Sequence, residues 1–391
     1  LFARQPLFDY PTQYELDRAF GAAQLSQESD MAIFRVFYTG DYLNERGEIA
    51  YWGVNPGLLT SIPYIEVGFL DDLKPSPNDP GYWDRLYSLQ VEPAHIVQAH
   101  GLVILRPWVK ASAFAHGAQN LTVIGRAGAG YDKIDLAACT ANDVAVFNAP
   151  DTLTHATASA AFLFMQMLAR RVSEHQRILY EGRWDLQPQI MGDDLTGQTL
   201  GIVGLGNTGR ELVRLVAPFD MRIIAYSPHA DPAQAASLGV TLVPTLDTLL
   251  READFVSLHC RLTEQTRNMI GERELRLLKP TAFFINVGRG ELVDQEALVR
   301  CLRERRIAGA ALDVYESEPL PLDDPLLALD NVILTPHWLP STRQAVRATA
   351  DLIAQGMMRA AQGQVPQNVV NPQVLGRPGF CAKLARFAEN A

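Results

Sequence analysis

Three glycines, Gly204, Gly206 and Gly209, stand in a G-x-G-x-x-G spacing whose chemistry is phosphate binding. TLGIVGL before them reads as an apolar strand, RELVRLVAPF after them as an amphipathic helix, and MRIIAYS as the next strand. Strand, glycine turn, helix and strand within about thirty residues is the setting in which this spacing holds a dinucleotide. Gly204 permits the tight turn, Gly206 lets a pyrophosphate approach the backbone, and Gly209 lets the helix pack close to the strand. Asn207 and Thr208 open the helix, whose first N–H groups and positive dipole end point at the phosphates.

The end of the second strand departs from the usual pattern. An acidic residue about twenty residues on commonly bonds the adenosine ribose hydroxyls. Here the sequence reads Ser227-Pro228-His229. Without the carboxylate, repulsion against a 2′-phosphate is gone, and His229 is the nearby candidate cation, or else a solvated loop residue. NAD and NADP both remain open as cofactor.

The elements that must position this turn are read from breakers and apolar runs. GLVILRP (101–107), LTVIGRAG (121–128) and VAVFNAP (144–150) each end in Gly or Pro and predict buried parallel strands. MAIFRVFYTG, from Met31, predicts an earlier strand. Residues 1–30 read as an N-terminal extension, and 51–93, rich in Pro, Gly and Asp, as loops and short elements. Residues 156–184 hold helix formers and no proline, which predicts one long helix, its first half buried on most sides. Residues 341–364 predict another, with Ser341 or Thr342 as N-cap.

Composition narrows the function. Lys and Arg total 34 against 44 Asp and Glu, a net charge of −10, so nucleic acid and anionic membrane are poor partners. No apolar stretch reaches the roughly 18 residues of a spanning helix. The N-terminus lacks a secretory signal pattern. Cys139, Cys260, Cys301 and Cys381 form no CxxC pair, so no metal site is expected, and free thiols in a reducing cytoplasm are the simpler reading.

Five further stretches lie in order around the glycine turn: IGRAGAGYDKIDL (124–136), SLHCRLTEQTRNMIG (257–271), FFINVGRGELVDQEAL (283–298), GAALDVYESEPLP (309–321) and NVILTPH (331–337). With them the chain resembles the D-isomer-specific 2-hydroxyacid dehydrogenase family, in particular its glyoxylate and hydroxypyruvate reductases. The resemblance covers most of residues 100–340. It implies an α/β fold of two doubly wound parallel-sheet domains, with an active cleft between them. A Rossmann-type nucleotide domain (148–339) would be inserted in a flavodoxin-like substrate domain (31–147 with 340–391). It also implies hydride transfer between NAD(P)H and a 2-oxo acid, and a homodimer built on the helix after residue 150.

Carried onto matching positions, the family's catalytic trio is Arg289, Glu318 and His337. The residue chemistry fits. Arg289 is a permanent planar cation suited to a carboxylate and a carbonyl. His337 can carry the proton that the carbonyl oxygen needs, and Glu318, bonded to the other imidazole nitrogen, would orient the ring. The same resemblance places Asp313 against the nicotinamide carboxamide and Val287 beside the cofactor. Cys260, Arg261 and Thr266 would border the adenosine side with Ser227 and His229, and Trp108, Val109, Gly128 and Ala129 would lie on the substrate. Leu153, Ser159 and Ala160 replace polar residues common in the family near the long helix. Two other readings share the fold: a dinucleotide-sensing binding protein of the corepressor type, and a formate- or phosphite-type dehydrogenase.

Overall fold

The computed structural model describes residues 32–39, 42–43, 49–50, 59, 62–70 and 88–390. The expected N-terminal extension and much of the 51–93 stretch lie outside the described residues. The chain divides into two compact units, one made of residues 1–153 with Arg343–Ala391, the other of Thr154–Thr342.

The first unit is built on β1 (Phe34–Thr39), β4 (Ile65–Leu70), β5 (Gly101–Ile104), β6 (Val123–Arg126) and β7 (Ala145–Asn148). Between them in sequence lies a short ribbon of β2 (Tyr42–Leu43) and β3 (Ile49–Ala50). The sheet order is β4-β1-β5-β6-β7, all parallel, the flavodoxin-like arrangement. Strands β5 and β7 are buried along their whole length, which is why they read as continuous apolar runs rather than alternating ones. β4 lies inside the stretch read as loops and short elements: it is an edge strand in full register with β1, and its Pro- and Gly-rich flanks left its type unassigned.

The Arg343–Ala361 helix returns to this sheet and packs Ile353, Ala354 and Met357 among Phe34, Val36, Tyr38 and Phe147. The C-terminal segment is then tied down by buried polar groups. Asn371 continues the edge of β7, accepting from the Val146 N–H at 2.8 Å and donating to Val144 O at 2.9 Å. Lys383 donates to the carbonyls of Leu121, Asn142 and Asp143 at 3.0, 2.7 and 3.1 Å. Its burial pulls the ammonium pKa down to about 8.

The second unit contains β8 (Thr199–Val203), β9 (Arg222–Tyr226), β10 (Val240–Leu242), β11 (Phe255–Leu258), β12 (Phe283–Asn286), β13 (Gly309–Leu312) and β14 (Val332–Leu334). Their order, β10-β9-β8-β11-β12-β13-β14, is 3-2-1-4-5-6 with one strand added, a Rossmann-type sheet. The expected pair of doubly wound parallel-sheet domains is therefore present.

The single helix predicted over 156–184 is in fact two, Thr154–Ala169 and Val172–Tyr180, followed by a 3₁₀ segment at Trp184–Gln189. Arg171 takes a left-handed φ of 52° and breaks the run. The freed Ala169 carbonyl accepts the Asp193 N–H at 2.9 Å, and Gly192 lies close on the backbone of the break. A tertiary contact ends the helix, so composition gave no warning. Among the described residues no helix is long and apolar enough to cross a membrane.

Candidate active site

Parallel register sets the site of the second unit. Val203, Leu258, Asn286, Leu312 and Leu334 form one row across β8, β11, β12, β13 and β14. Every strand leaves the sheet at that row, so the residues that follow gather along its carboxyl edge, where open α/β sheets bind ligands. Gly204, Cys260, Val287 to Arg289, Asp313 to Glu318 and Thr335 to His337 are those residues.

At the glycine turn, Gly204 has φ 95°, and a Cβ there would lie 2.7 Å from Cys260 N. A Cβ on Gly209 would meet Gly204 O at 2.5 Å, so close helix–strand contact requires glycine. At Gly206 a Cβ would meet nothing within 4 Å. No protein atom demands glycine there, and the empty space is what an approaching pyrophosphate needs. Gly206 caps the Asn207–Val216 helix without a side-chain bond, leaving the first-turn amides directed at that space.

The post-β9 loop holds a half-buried Ser227 and an exposed His229. On the other side of the turn, the Thr266 hydroxyl donates to Arg261 O at 2.6 Å and fixes the 261–266 loop. Burial pushes the Cys260 thiol up to about 11, which suits a lining residue and not a nucleophile. Beside it His259 is a second buried titratable group. Its Nε2 lies 2.8 Å from Ser257 Oγ, its Nδ1 is buried without a partner, and burial pulls its pKa down to about 4. Val287 is buried, in the core cluster that includes Phe164 and Leu205.

Arg289 follows β12. The buried Asn286 amide shapes its loop, accepting from the Gly288 N–H at 3.0 Å and donating to Arg289 O at 2.8 Å. The half-buried guanidinium donates to Gly288 O at 2.8 Å.

Glu318 and His337 meet directly. His337 Nδ1 lies 2.8 and 2.7 Å from the two Glu318 carboxylate oxygens. With Nδ1 engaged by the carboxylate, Nε2 is the nitrogen left for chemistry. His337 has a left-handed φ of 51°, a conformation that a side chain adopts only when its surroundings impose it.

Asp313 is fully buried. One carboxylate oxygen accepts from the Thr335 hydroxyl at 2.5 Å and from the Trp338 and Leu339 amides at 3.2 and 3.3 Å. The other oxygen is buried with no partner. Burial raises the carboxyl pKa above its ordinary range, against the pull of the Thr335 hydroxyl and His337. An orphaned buried acceptor at a strand end fits an amide N–H of a bound group.

Sequence reading missed the brace behind these loops. The Tyr315 hydroxyl donates to Thr335 O at 2.9 Å, and the Tyr315 N–H donates to Glu318 Oε1 at 3.3 Å. One buried residue thereby joins the loop carrying Glu318 to the loop carrying His337. Its signal in sequence is only a tyrosine between Val314 and Glu316.

Trp108, Val109, Gly128 and Ala129 belong to the first unit. The Trp108 and Val109 amides are already engaged, donating to Leu89 O and Lys133 O at 2.8 and 2.9 Å. The Lys110 and Lys133 ammonium groups lie 5.7 and 5.4 Å from the Trp108 ring centroid.

Known proteins share this architecture. Residues 162–338 match the model of the D-isomer specific 2-hydroxyacid dehydrogenase, NAD binding domain. A glyoxylate reductase of Korarchaeum cryptofilum is 43% identical over 268 residues, covering 67% of this chain and 80% of that protein. A D-3-phosphoglycerate dehydrogenase of Methanocaldococcus jannaschii is 42% identical over 254 residues, which are 65% of this chain and 48% of the relative. The solved NADPH-dependent glyoxylate/hydroxypyruvate reductase of Sinorhizobium meliloti, in complex with NADP and malonate, superposes with a TM-score of 0.71. It is 25% identical and covers 87% of this chain and 98% of that one. Likeness at this level, over both units, makes the chain a member of the D-isomer-specific 2-hydroxyacid dehydrogenase family and an NAD(P)-dependent oxidoreductase.

Proposed function

We propose that the chain interconverts a small 2-oxo acid and its D-2-hydroxy acid, with Arg289 on the substrate, His337 as acid/base and Glu318 as the group that orients it. The observation that carries this reading is the imidazole held at Nδ1 by both oxygens of one carboxylate. A ring fixed in this way presents Nε2 in one place and one tautomer. During reduction His337 Nε2 gives its proton to the carbonyl oxygen, and in the reverse direction it takes the proton from the hydroxyl. Arg289 pairs its guanidinium with the substrate carboxylate and polarises the carbonyl.

The amides of the glycine turn, with Asn207 and Thr208, would hold the pyrophosphate. The free oxygen of Asp313 would accept from the carboxamide, and Ser227, His229, Cys260, Arg261 and Thr266 would border the adenosine. The nicotinamide, when bound, supplies or takes up the hydride. Within the first unit the Gly128 and Ala129 amides are the better donors for a carboxylate, because those of Trp108 and Val109 already have acceptors.

The reading is tested by following NADH and NADPH consumption with glyoxylate, hydroxypyruvate, pyruvate, phenylpyruvate and methyl pyruvate. Turnover of at least one acid is expected, with the ester slower than pyruvate by roughly tenfold or more, the loss of one charge-assisted contact. Equal rates for acid and ester would remove Arg289 from its role. Dinucleotide binding without turnover of any acid would favour the sensor reading.

We further propose that the chain is a homodimer. Leu163, Val172, Leu179, Tyr180, Trp184 and Met191, all within one stretch of the second unit, are exposed at 39–79%. Solvated apolar side chains this concentrated call for a cover, and a second copy of the same chain supplies a self-complementary one. Sedimentation equilibrium at micromolar concentration should give twice the chain mass of 43.2 kDa. A monomer would refute it.

A further inference from the structure

Residues 227–230, which follow β9, offer no arginine for a 2′-phosphate, yet folding brings one from elsewhere. Arg210 lies one turn into the helix that begins at the glycine turn. Its guanidinium donates to Asn207 Oδ1 at 2.6 Å, to Leu205 O at 3.2 Å and to Gln234 Oε1 at 3.2 Å. Gln234 belongs to the first turn of the Pro232–Ser237 helix, which follows the post-β9 loop. The side chain therefore bridges the two helix starts that flank the end of β9, where the adenosine ribose of a dinucleotide lies in this fold.

Two features make this cation available to an anion. All three acceptors are neutral, so no carboxylate among the described residues neutralises the charge. The acids next to it in sequence and next to the post-β9 loop have other hydrogen-bond partners. Glu211 accepts from Arg214 at 2.8 and 2.7 Å and lies 2.7 Å from His155 Nδ1, and Asp231 accepts from the Ala233 N–H at 2.9 Å as cap of its own helix. Residues 227–230, Ser-Pro-His-Ala, supply no acid that would bond a ribose 2′-hydroxyl or repel a phosphate. A half-buried guanidinium with neutral anchors keeps its position and its full charge, and a phosphate is the partner that its geometry suits.

We propose that Arg210, with Ser227 and His229 of the loop after β9, receives the 2′-phosphate of NADP(H) and makes the enzyme selective for NADPH over NADH. The proposal rests on the dinucleotide reading of the glycine turn and adds the choice between the two cofactors.

Binding of NADPH, NADH, 2′,5′-ADP and 5′-AMP to the full chain can be measured by calorimetry and fluorescence at two ionic strengths. NADPH should bind at least about tenfold more tightly than NADH, and 2′,5′-ADP more tightly than 5′-AMP, with a preference that weakens in salt. Arg210→Met keeps the stem and the helix propensity and removes the charge. It should cut the NADPH-to-NADH affinity ratio by roughly tenfold to a hundredfold, the value of one charge-assisted phosphate contact. His229→Ala should cut the ratio less. Thermal melting shows whether each variant is folded. An intrinsic preference for NADH, or a folded Arg210→Met variant with the wild-type ratio, would overturn the proposal. If the wild type binds neither dinucleotide, the underlying nucleotide reading fails instead, a distinguishable result.

Discussion

Replacing His337 by Ala is expected to lower kcat with a 2-oxo acid by roughly 10²–10⁴, the range lost with a positioned general acid. Dinucleotide affinity should stay within a few-fold, because the imidazole stands beyond β14 while the phosphate-binding amides stand beyond β8. The backbone needs its own control. His337 occupies a left-handed φ of 51°, so a change of residue type also changes strain. Asn tolerates that region better than Ala and has no ring nitrogen to carry a proton. His337→Asn should therefore match His337→Ala in kcat while melting closer to the wild type. Near-wild-type turnover in either variant would remove His337 from the acid/base role. If kcat fell with His337→Ala and recovered in His337→Asn, backbone strain would be the cause and not proton transfer.

The glycine turn was legible because its logic is local: six consecutive residues set the turn, the approach and the helix start. The strands were legible where both faces are buried, as in β5 and β7, since burial leaves a continuous apolar run. β4 was legible only as an unspecified short element, being an edge strand within a Pro- and Gly-rich stretch. Arg289, Glu318 and His337 could be named from family motifs. The contact of Glu318 with His337 depends on two neighbouring parallel strands, β13 and β14, that end in one row, and no short window shows that. The helix break at Arg171, the Tyr315 brace and the Arg210–Gln234 contact are all tertiary. In the last, the partners stand 24 residues apart, and neither carries a signal that names the other.

The contact between the Arg289 loop and the Glu318 loop predicts the largest effect of a single methyl group. A Cβ on Gly290 would lie 1.8 Å from Tyr315 C, 1.9 Å from Tyr315 O and 2.4 Å from Glu316 N. These are backbone atoms and cannot rotate away. The Glu316 N–H donates to Gln295 Oε1 at 3.1 Å, the Tyr315 hydroxyl anchors to Thr335 O, and Asn286 grips Arg289 O. Neither loop can yield without breaking such bonds, so Gly290→Ala should destabilise the second unit by about 1–3 kcal/mol or more. For a unit of this size that corresponds to roughly 2–4 °C in Tm per kcal/mol. Activity should suffer beyond stability, because the displaced atoms carry Arg289 on one side and Glu318 on the other. A shift of about 1 Å between catalytic groups can cost a factor of about 10². Gly376→Ala, where a Cβ meets nothing within 4 Å, is the matched control and should leave both quantities unchanged. Differential scanning calorimetry beside kcat/KM separates the two effects. A Gly290→Ala protein with wild-type Tm and wild-type kcat/KM would mean that the loops are not pressed together as described, and the positions of Arg289 and Glu318 would have to be reconsidered together.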